Sequence, residues 1–314
     1  MTKAATLELS LVLAASSEDD RGHEPERCLE ALRPQVEGRN VEVFLVVDPG
    51  TDGTRVHQQF PWVQLVECSE RRPVQELWGL ALPHARGRII AITDACCVPE
   101  SDWVERILAA HQSEHLAIGG AIELPPDAST LDHAVYMARF FVRDTPLALP
   151  FEPGPTTDVP CENGSYKREA LERYMESIRR GFYEIVVNAD LMAEGVTLRC
   201  DPNLVVHYRN RFSALGFVRH RFTHGIHFGR LRRAESSPPK RAAYVATAGA
   251  IPSVFLLRVL RNVARKPRFL RPAVKAMPLV CVFVTAWAAG EFVGLIVPER
   301  SEHAPASATW APTA

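Results

Sequence analysis

The chain has 314 residues, 46% of them hydrophobic and 23% charged, with a formal net charge of −1 at pH 7. That is enough for one large domain plus an appendage, and a charge this close to zero gives no electrostatic pointer to nucleic acid. The seven cysteines are odd in number and form no Cys-x-x-Cys pair, which fits a reduced, cytoplasmic environment better than a disulfide framework.

The first seventeen residues, MTKAATLELSLVLAASS, have the lysine, apolar run and small residues of a signal peptide. Glu8 interrupts that run, and the alternation from Leu7 to Leu13 reads instead as a first strand over 7–15. A helix follows over 26–36, with Cys28, Leu29 and Leu32 on its inner side. A second strand, 41–47, is almost wholly apolar, as expected where both faces are covered. A short third strand is read at 62–67, a helix at 74–84, a fourth strand at 89–93 and a helix at 102–111 opened by Ser101. Alternating strands and helices imply parallel pairing through right-handed crossovers, a doubly wound unit to about residue 115.

Two of these strands end in an acid, Asp48 after VEVFLVV and Asp94 after RIIAIT. The C-terminal edge of an open α/β sheet is where ligands bind, and a carboxylate there suits a hard divalent cation and, through it, a pyrophosphate. The turn after the first strand, AASSEDDRG, lacks Gly-x-Gly-x-x-Gly, which argues against a dinucleotide-dependent oxidoreductase. Beyond Gly119–Gly120 the pattern changes. A helix over 131–142 precedes a proline-rich stretch to residue 160, read as an irregular active-site loop. ENGSYKREALERYM, GFYEIVVNADLMAEG and VTLRCDPNLVVHYRN then read as strand–helix, helix and strand.

The order of these motifs over roughly residues 7–230 resembles the family 2 glycosyltransferases. LSLVLAASSE resembles their first strand and nucleotide-contacting loop, VEVFLVVDPGTDGT their second strand and its Asp, and GLALPHARGRIIAITDACCVPESDW their central helix, strand, metal motif, proline and tryptophan. ENGSYKREAL resembles their acceptor-side segment. The resemblance implies a GT-A fold: a doubly wound, mostly parallel sheet with helices on both faces, here followed by C-terminal apolar and amphipathic helices. It implies nucleotide-sugar-dependent transfer to a hydroxyl of a glycan or lipid-linked acceptor, with inversion.

By the same resemblance, Ala15, Ser16 and Asp48 contact the base and ribose, and Asp94 holds the diphosphate through Mg²⁺ or Mn²⁺. Glu162, Asn163 and Tyr166 shape the acceptor side, and His207 closes the metal site. The family's Asp-x-Asp is Asp94, Ala95, Cys96 here, so one carboxylate is missing, and Cys96 is a soft, poor ligand for Mg²⁺. The family's acidic pair before a helix is Tyr183–Glu184 here, which leaves Glu184 as the base, with Asp190 as runner-up. In the basic run from Arg209 to Arg233, Arg219 or Arg221 faces inward to the leaving diphosphate, as a planar guanidinium suits, and Arg230 to Arg233 face outward. His220, His224 and His227 lack a Cys or acidic partner for zinc.

Residues 276–298 carry one charge, Glu291, and are long enough to span a bilayer, whereas 242–257 contain Pro252 and span poorly. The basic linker between them belongs on the cytoplasmic side. The expectation is a glycosyltransferase domain over 1–232 and membrane-associating helices over 233–314, at the cytoplasmic face as a peripheral or single-span protein. Two core helices of a soluble protein are the alternative for these segments. A catalytically decayed transferase fold that binds a nucleotide-sugar without turnover is the alternative function.

Overall fold

The computed structural model describes residues 7–16, 25–143, 145, 147–234, 236–297 and 308–310. Strand β1 (Leu9–Ala15) leads to helix α1 (Glu26–Val36), then β2 (Val41–Val47), α2 (Gly53–Gln59), β3 (Gln64–Cys68), α3 (Val74–Ala81) and β4 (Ile89–Asp94). Next come β5 (Cys97–Pro99), α4 (Trp103–Ala110), β6 (Ala117–Glu123), α5 (Thr130–Phe140), β7 (Gly154–Thr156) and β8 (Gly164–Lys167). Short helices α6 (Arg168–Leu171) and α7 (Met175–Ile178) precede α8 (Glu184–Ala193) and β9 (Leu198–Tyr208). The chain continues in α9 (Ala214–Ala234), α10 (Pro238–Thr247), α11 (Ile251–Arg265) and α12 (Leu270–Ile296), and β10 (Ala308–Trp310) adds an edge strand. The signal-peptide-like start before residue 7, the acidic end of the loop after β1, and Pro298 lie outside the described residues.

These strands form one sheet in the order β10-β3-β2-β1-β4-β8-β6-β9-β5, with β7 on β9. Pairing among β1, β2, β3 and β4 is parallel, as the alternating pattern requires. The far half is mixed: β8 runs antiparallel to both β4 and β6, while β6 and β9 are parallel. Every residue of β1 and β4 is buried, as expected of central strands covered on both faces. One core forms beneath α1, α4, α5 and α12, and the other beneath α3 and α8. Strand β6 escaped the sequence reading because AIGGAIE has two central glycines and no alternation. Those glycines are needed there: a Cβ on Gly120 would lie 2.3 Å from the Leu204 carbonyl oxygen of β9.

Helix α12 is not an independent C-terminal element. Gly225 and Gly229 of α9 face Gly290 and Gly294 of α12, and a Cβ on Gly290 would lie 2.0 Å from the Phe222 carbonyl oxygen. Paired small residues four apart let two helices approach backbone to backbone. Glu291 is fully buried at this seam, 2.8 Å from Arg232. The boundary expected at residue 232 therefore falls inside α9, along which α12 packs.

Candidate active site

Strand β1 has β2 on one side and β4 on the other, so the strand order reverses there and opens a crevice at their C-terminal ends. Four of the expected residues meet at this edge. Ala15 ends β1, Ser16 follows it, Asp48 follows β2 and Asp94 ends β4. All four are buried. Ser16 donates to the Arg72 carbonyl at 3.1 Å, which ties the β1 loop to the start of α3. Asp48 accepts from Gly50 N at 3.2 Å and Asp94 from Cys96 N at 3.3 Å, the short-range turns typical of Asp after a strand.

Beside this edge lies a cleft. Its walls come from α3 (Val74, Trp78), the end of α5 and the turn after it (Arg139, Arg143), the segment before β8 (Cys161, Glu162), the start of α8 (Tyr183, Glu184) and α9 (His220, Arg221, His224, His227). A continuous polar chain joins cleft and edge. Thr93, at the end of β4, donates to the Glu162 carbonyl at 2.8 Å. The Glu162 carboxylate accepts from Arg139 at 2.9 and 3.2 Å, and Arg139 stands 3.7 Å from Asp94. One helical turn on, Arg143 donates to Glu184 at 2.8 Å and pairs with Asp158.

Electrostatics separates the two glutamates. Burial alone would raise the Glu162 carboxyl, but Arg139 and Arg143 outweigh it and hold it below the usual range. Burial wins at Glu184: Arg143 opposes it, Glu162 and Asp158 reinforce it, and the carboxyl is raised. A raised pKa moves a carboxylate toward the basicity a proton acceptor needs near neutral pH.

Arg221 is the third arginine of the cleft and the most buried, 5% exposed, and no carboxylate pairs with it among the described residues. Among the described residues its Nε has no hydrogen-bond partner, and its guanidinium lies over the rings of Trp287 at 5.7 Å and Phe217 at 6.0 Å. Burial, with Arg139 and Arg143 nearby, pushes its pKa down to about 9, so it remains charged at neutral pH. Its neighbour Arg219 is exposed, which resolves the choice of inward residue in favour of Arg221. Arg232 and Arg233, expected to face outward, instead bind α12, through Glu291 and the Leu295 and Ile296 carbonyls.

Several expected site residues lie elsewhere. Asn163 spends both ends of its amide on structure, donating to the Ala121 and Leu204 carbonyls and accepting from Trp103. Tyr166 is fully buried in β8, with its hydroxyl on the Val159 carbonyl and Asn188, so it has no free face for a sugar ring. Of the three acceptor-side residues, only Glu162 reaches the cleft. His207 Nε2 lies 2.6 Å from Glu100, and the ring is held at the β5–β9 pair. Asp190 is exposed.

These placements bear on the divalent metal. Asp94 brings one carboxylate, Cys96 and Cys97 are buried, and His207 is engaged by Glu100. Among the described residues, no three His, Cys, Asp or Glu side chains stand together as a ligand set. The described residues alone therefore do not build a metal centre at Asp94. Arg139 and Arg143 are what the sequence reading missed. Their signal was present in MARFFVRD, two arginines four apart in an otherwise apolar stretch, the mark of a buried ion-pair face.

Residues 22–175 match the family model for glycosyl transferase family 2. Among solved structures, a mannosyltransferase from Pyrobaculum calidifontis in complex with GDP-Man and Mn²⁺ aligns over 92% of this chain and 87% of its own, with a TM-score of 0.54 at 20% identity. S. aureus TarS 1-349 in complex with UDP-GlcNAc aligns over 91% of each chain, with a TM-score of 0.48 at 11% identity. No curated protein matches the chain by sequence. Residues 22–175 thus form a glycosyl transferase family 2 domain on a GT-A-like fold, and the protein is a glycosyltransferase.

Proposed function

We propose that the protein transfers a sugar from a nucleotide-sugar, with inversion, to a hydroxyl of a glycan or lipid-linked acceptor, and that Glu184 is the base. The observation that carries this reading is the buried Glu184 in the cleft, held by Arg143 and joined through Arg139 and Glu162 to Asp94 at the sheet edge. Base and ribose occupy the edge near Ala15, Ser16 and Asp48, and the diphosphate extends past Asp94 toward Arg221. The acceptor hydroxyl enters the cleft and attacks the anomeric carbon. Its proton passes to Glu184, the bond from that carbon to the phosphate oxygen breaks, and the electron pair leaves on the nucleoside diphosphate. Arg221 offsets the charge that develops on the leaving group, and being buried and fixed it acts more strongly than a solvated cation. Glu162 helps hold the acceptor side by fixing Arg139. A divalent cation, such as the Mn²⁺ bound to the Pyrobaculum enzyme, would take Asp94 as its one carboxylate, with donor oxygens and water as further ligands. It would neutralise diphosphate charge, and none of the steps above is routed through it.

We also place the protein at the cytoplasmic face of a membrane, with 233–314 as the associating part. Two helical stretches are long and apolar enough to cross a bilayer, Pro238–Arg265 and Pro267–Ile296. Commitment of one side of α12 to α9 favours the peripheral form over a span. Leu257 is 68% and Val274 78% exposed, and from Ser236 to Gly290 the sequence contains no Asp or Glu. An apolar face rimmed only by basic residues suits an anionic lipid surface. Asn262 of α11 donates to the carbonyls of Phe141 and Arg143, so this surface adjoins the cleft, as a lipid-linked acceptor requires.

The test is release of nucleoside diphosphate from a panel of nucleotide-sugars, with and without Mg²⁺ or Mn²⁺, for the wild type, Glu184→Gln and Asp94→Asn. Turnover lost in Glu184→Gln with donor binding retained supports the reading. Wild-type donor binding without turnover on any acceptor supports the decayed-fold alternative. No nucleotide binding would refute the proposal.

A further inference from the structure

The α9–α12 seam does more than hold a helix. Trp287 of α12 lies against α9 at the level of the cleft, its ring packed between Phe228 and Phe255, with centroids 5.3 and 5.0 Å away. Its indole N–H points to His224 Nδ1 at 3.4 Å, a long hydrogen bond. An indole nitrogen is a donor only, so Nδ1 must be the acceptor. Burial and the nearby Arg221 and Arg139 push the His224 pKa down to about 3, which keeps the ring neutral. A neutral imidazole that accepts at Nδ1 carries its hydrogen on Nε2. Among the described residues that Nε2–H has no hydrogen-bond partner, and His224 lines the cleft.

The same indole lies under the Arg221 guanidinium at 5.7 Å. One side chain from α12 therefore sets two adjacent cleft donors, a cation and a neutral N–H. Arg221 is a buried charge whose Nε has no hydrogen-bond partner and which no carboxylate pairs among the described residues. A charge in that state is costly unless an anion completes it. Two convergent donors with no acceptor between them fit oxygens that are always unprotonated or singly protonated at neutral pH, which is the chemistry of phosphoryl groups.

We propose that Trp287 is a positioning residue, which holds Arg221 and the Nε2–H tautomer of His224 as a paired site for the phosphoryl oxygens of a substrate. This rests on the cleft being the transferase site, and adds His224 and Trp287 to it. Two sources share the chemistry: the donor's diphosphate, or a phosphate carried by the acceptor.

The test uses the full chain, with pyrophosphate as probe for calorimetry and ¹⁵N-labelled histidine for NMR. Trp287→Phe keeps a ring under Arg221 but removes the indole donor. It should shift the His224 signals from the Nε2–H tautomer toward a mixture and weaken pyrophosphate about tenfold, the scale of one hydrogen bond. Trp287→Leu removes both functions and should approach the loss seen in Arg221→Met. Should Trp287→Leu fail to fold, His224→Leu carries the test with the α9–α12 seam intact. Unchanged tautomer and affinity in Trp287→Phe, or no pyrophosphate binding to the wild type, would overturn the inference even if sugar transfer is observed. Pyrophosphate binding that depends on Arg221 and Trp287, in a protein that transfers no sugar, would sustain the inference and refute the proposed function. In steady-state kinetics, a raised donor KM in the Trp287 variants identifies the diphosphate as the ligand. A raised acceptor KM with the donor KM unchanged identifies a phosphate on the acceptor.

Discussion

Arg221→Met should make the protein more stable while disabling it. The guanidinium is 5% exposed, and its pKa falls from the ordinary 12.5 to about 9 through burial first, then Arg139 and Arg143. At ~1.36 kcal/mol per pKa decade, that displacement corresponds to roughly 5 kcal/mol against the charged side chain. Two ring contacts, to Phe217 and Trp287, return about 0.5–2 kcal/mol each. Methionine keeps most of the volume and can lie against the same rings. The net is a gain of about 1–4 kcal/mol, or roughly 2–16 °C in Tm at ~2–4 °C per kcal/mol. The sign with pH follows from the direction of the shift. Below the folded pKa both states are protonated and the penalty is present in full. As pH rises through about 9 only the unfolded state keeps the proton, and wild-type stability recovers. The Tm advantage of the variant should therefore be largest near pH 7–8 and narrow above about 9, in differential scanning calorimetry. Saturating pyrophosphate should raise the wild-type Tm and leave the variant unmoved. A variant destabilised at pH 7 would show that Arg221 has a structural partner, and would remove the case for an anion there.

Glu184→Gln should cut turnover by about 10²–10⁴-fold with little change in donor affinity. In the wild type, activity should fall on the acid side at a pH above the ordinary carboxylate value of 4.5, because burial raises this carboxyl. A kcat–pH profile checks both. Arg139→Gln leaves Glu162 without its main partner and should cost about 3–5 kcal/mol in denaturant unfolding. Glu162, held low in the folded state, contributes stability that is present above 4.5 and lost as pH falls through its depressed folded value; the variant should lack that acid dependence. Gly290→Ala sets a Cβ against the Phe222 carbonyl and should cost about 1–3 kcal/mol by forcing α9 and α12 apart, measurable as a drop in Tm. Leu257→Asp, in the exposed α11 face, should abolish co-flotation with anionic vesicles while nucleotide binding in solution persists.

The C-terminal edge of the sheet was legible because it is local. Buried parallel strands are mostly apolar, so β1, β2 and β4 announce themselves, and the acids that follow β2 and end β4 stand out against that background. The sequence could also nominate Glu184, which opens a helix in a recognisable spacing. The cleft depends on long-range pairing. Arg139 matters because a chain segment twenty-three residues away returns Glu162 to it, and no periodicity encodes that meeting. Tyr166 and Asn163 read as ligand-facing because ENGSYKREAL resembles the family's acceptor-side segment. Here β8 inserts between β4 and β6, which buries both side chains. The apolar tail read as membrane-seeking from hydropathy alone. Its second half is half core, since the glycines at 225, 229, 290 and 294, scattered in sequence, form one seam in space.

The most direct measurement is a crystal structure of the full chain with a nucleoside diphosphate-sugar that supports turnover, or with its unreactive analogue. The account predicts the base beside Asp48, the diphosphate between Asp94 and Arg221, and the anomeric carbon facing the cleft within reach of an acceptor oxygen hydrogen-bonded to Glu184. A donor seated with its sugar directed away from Glu184, or a diphosphate that leaves Arg221 without an anion, would contradict it.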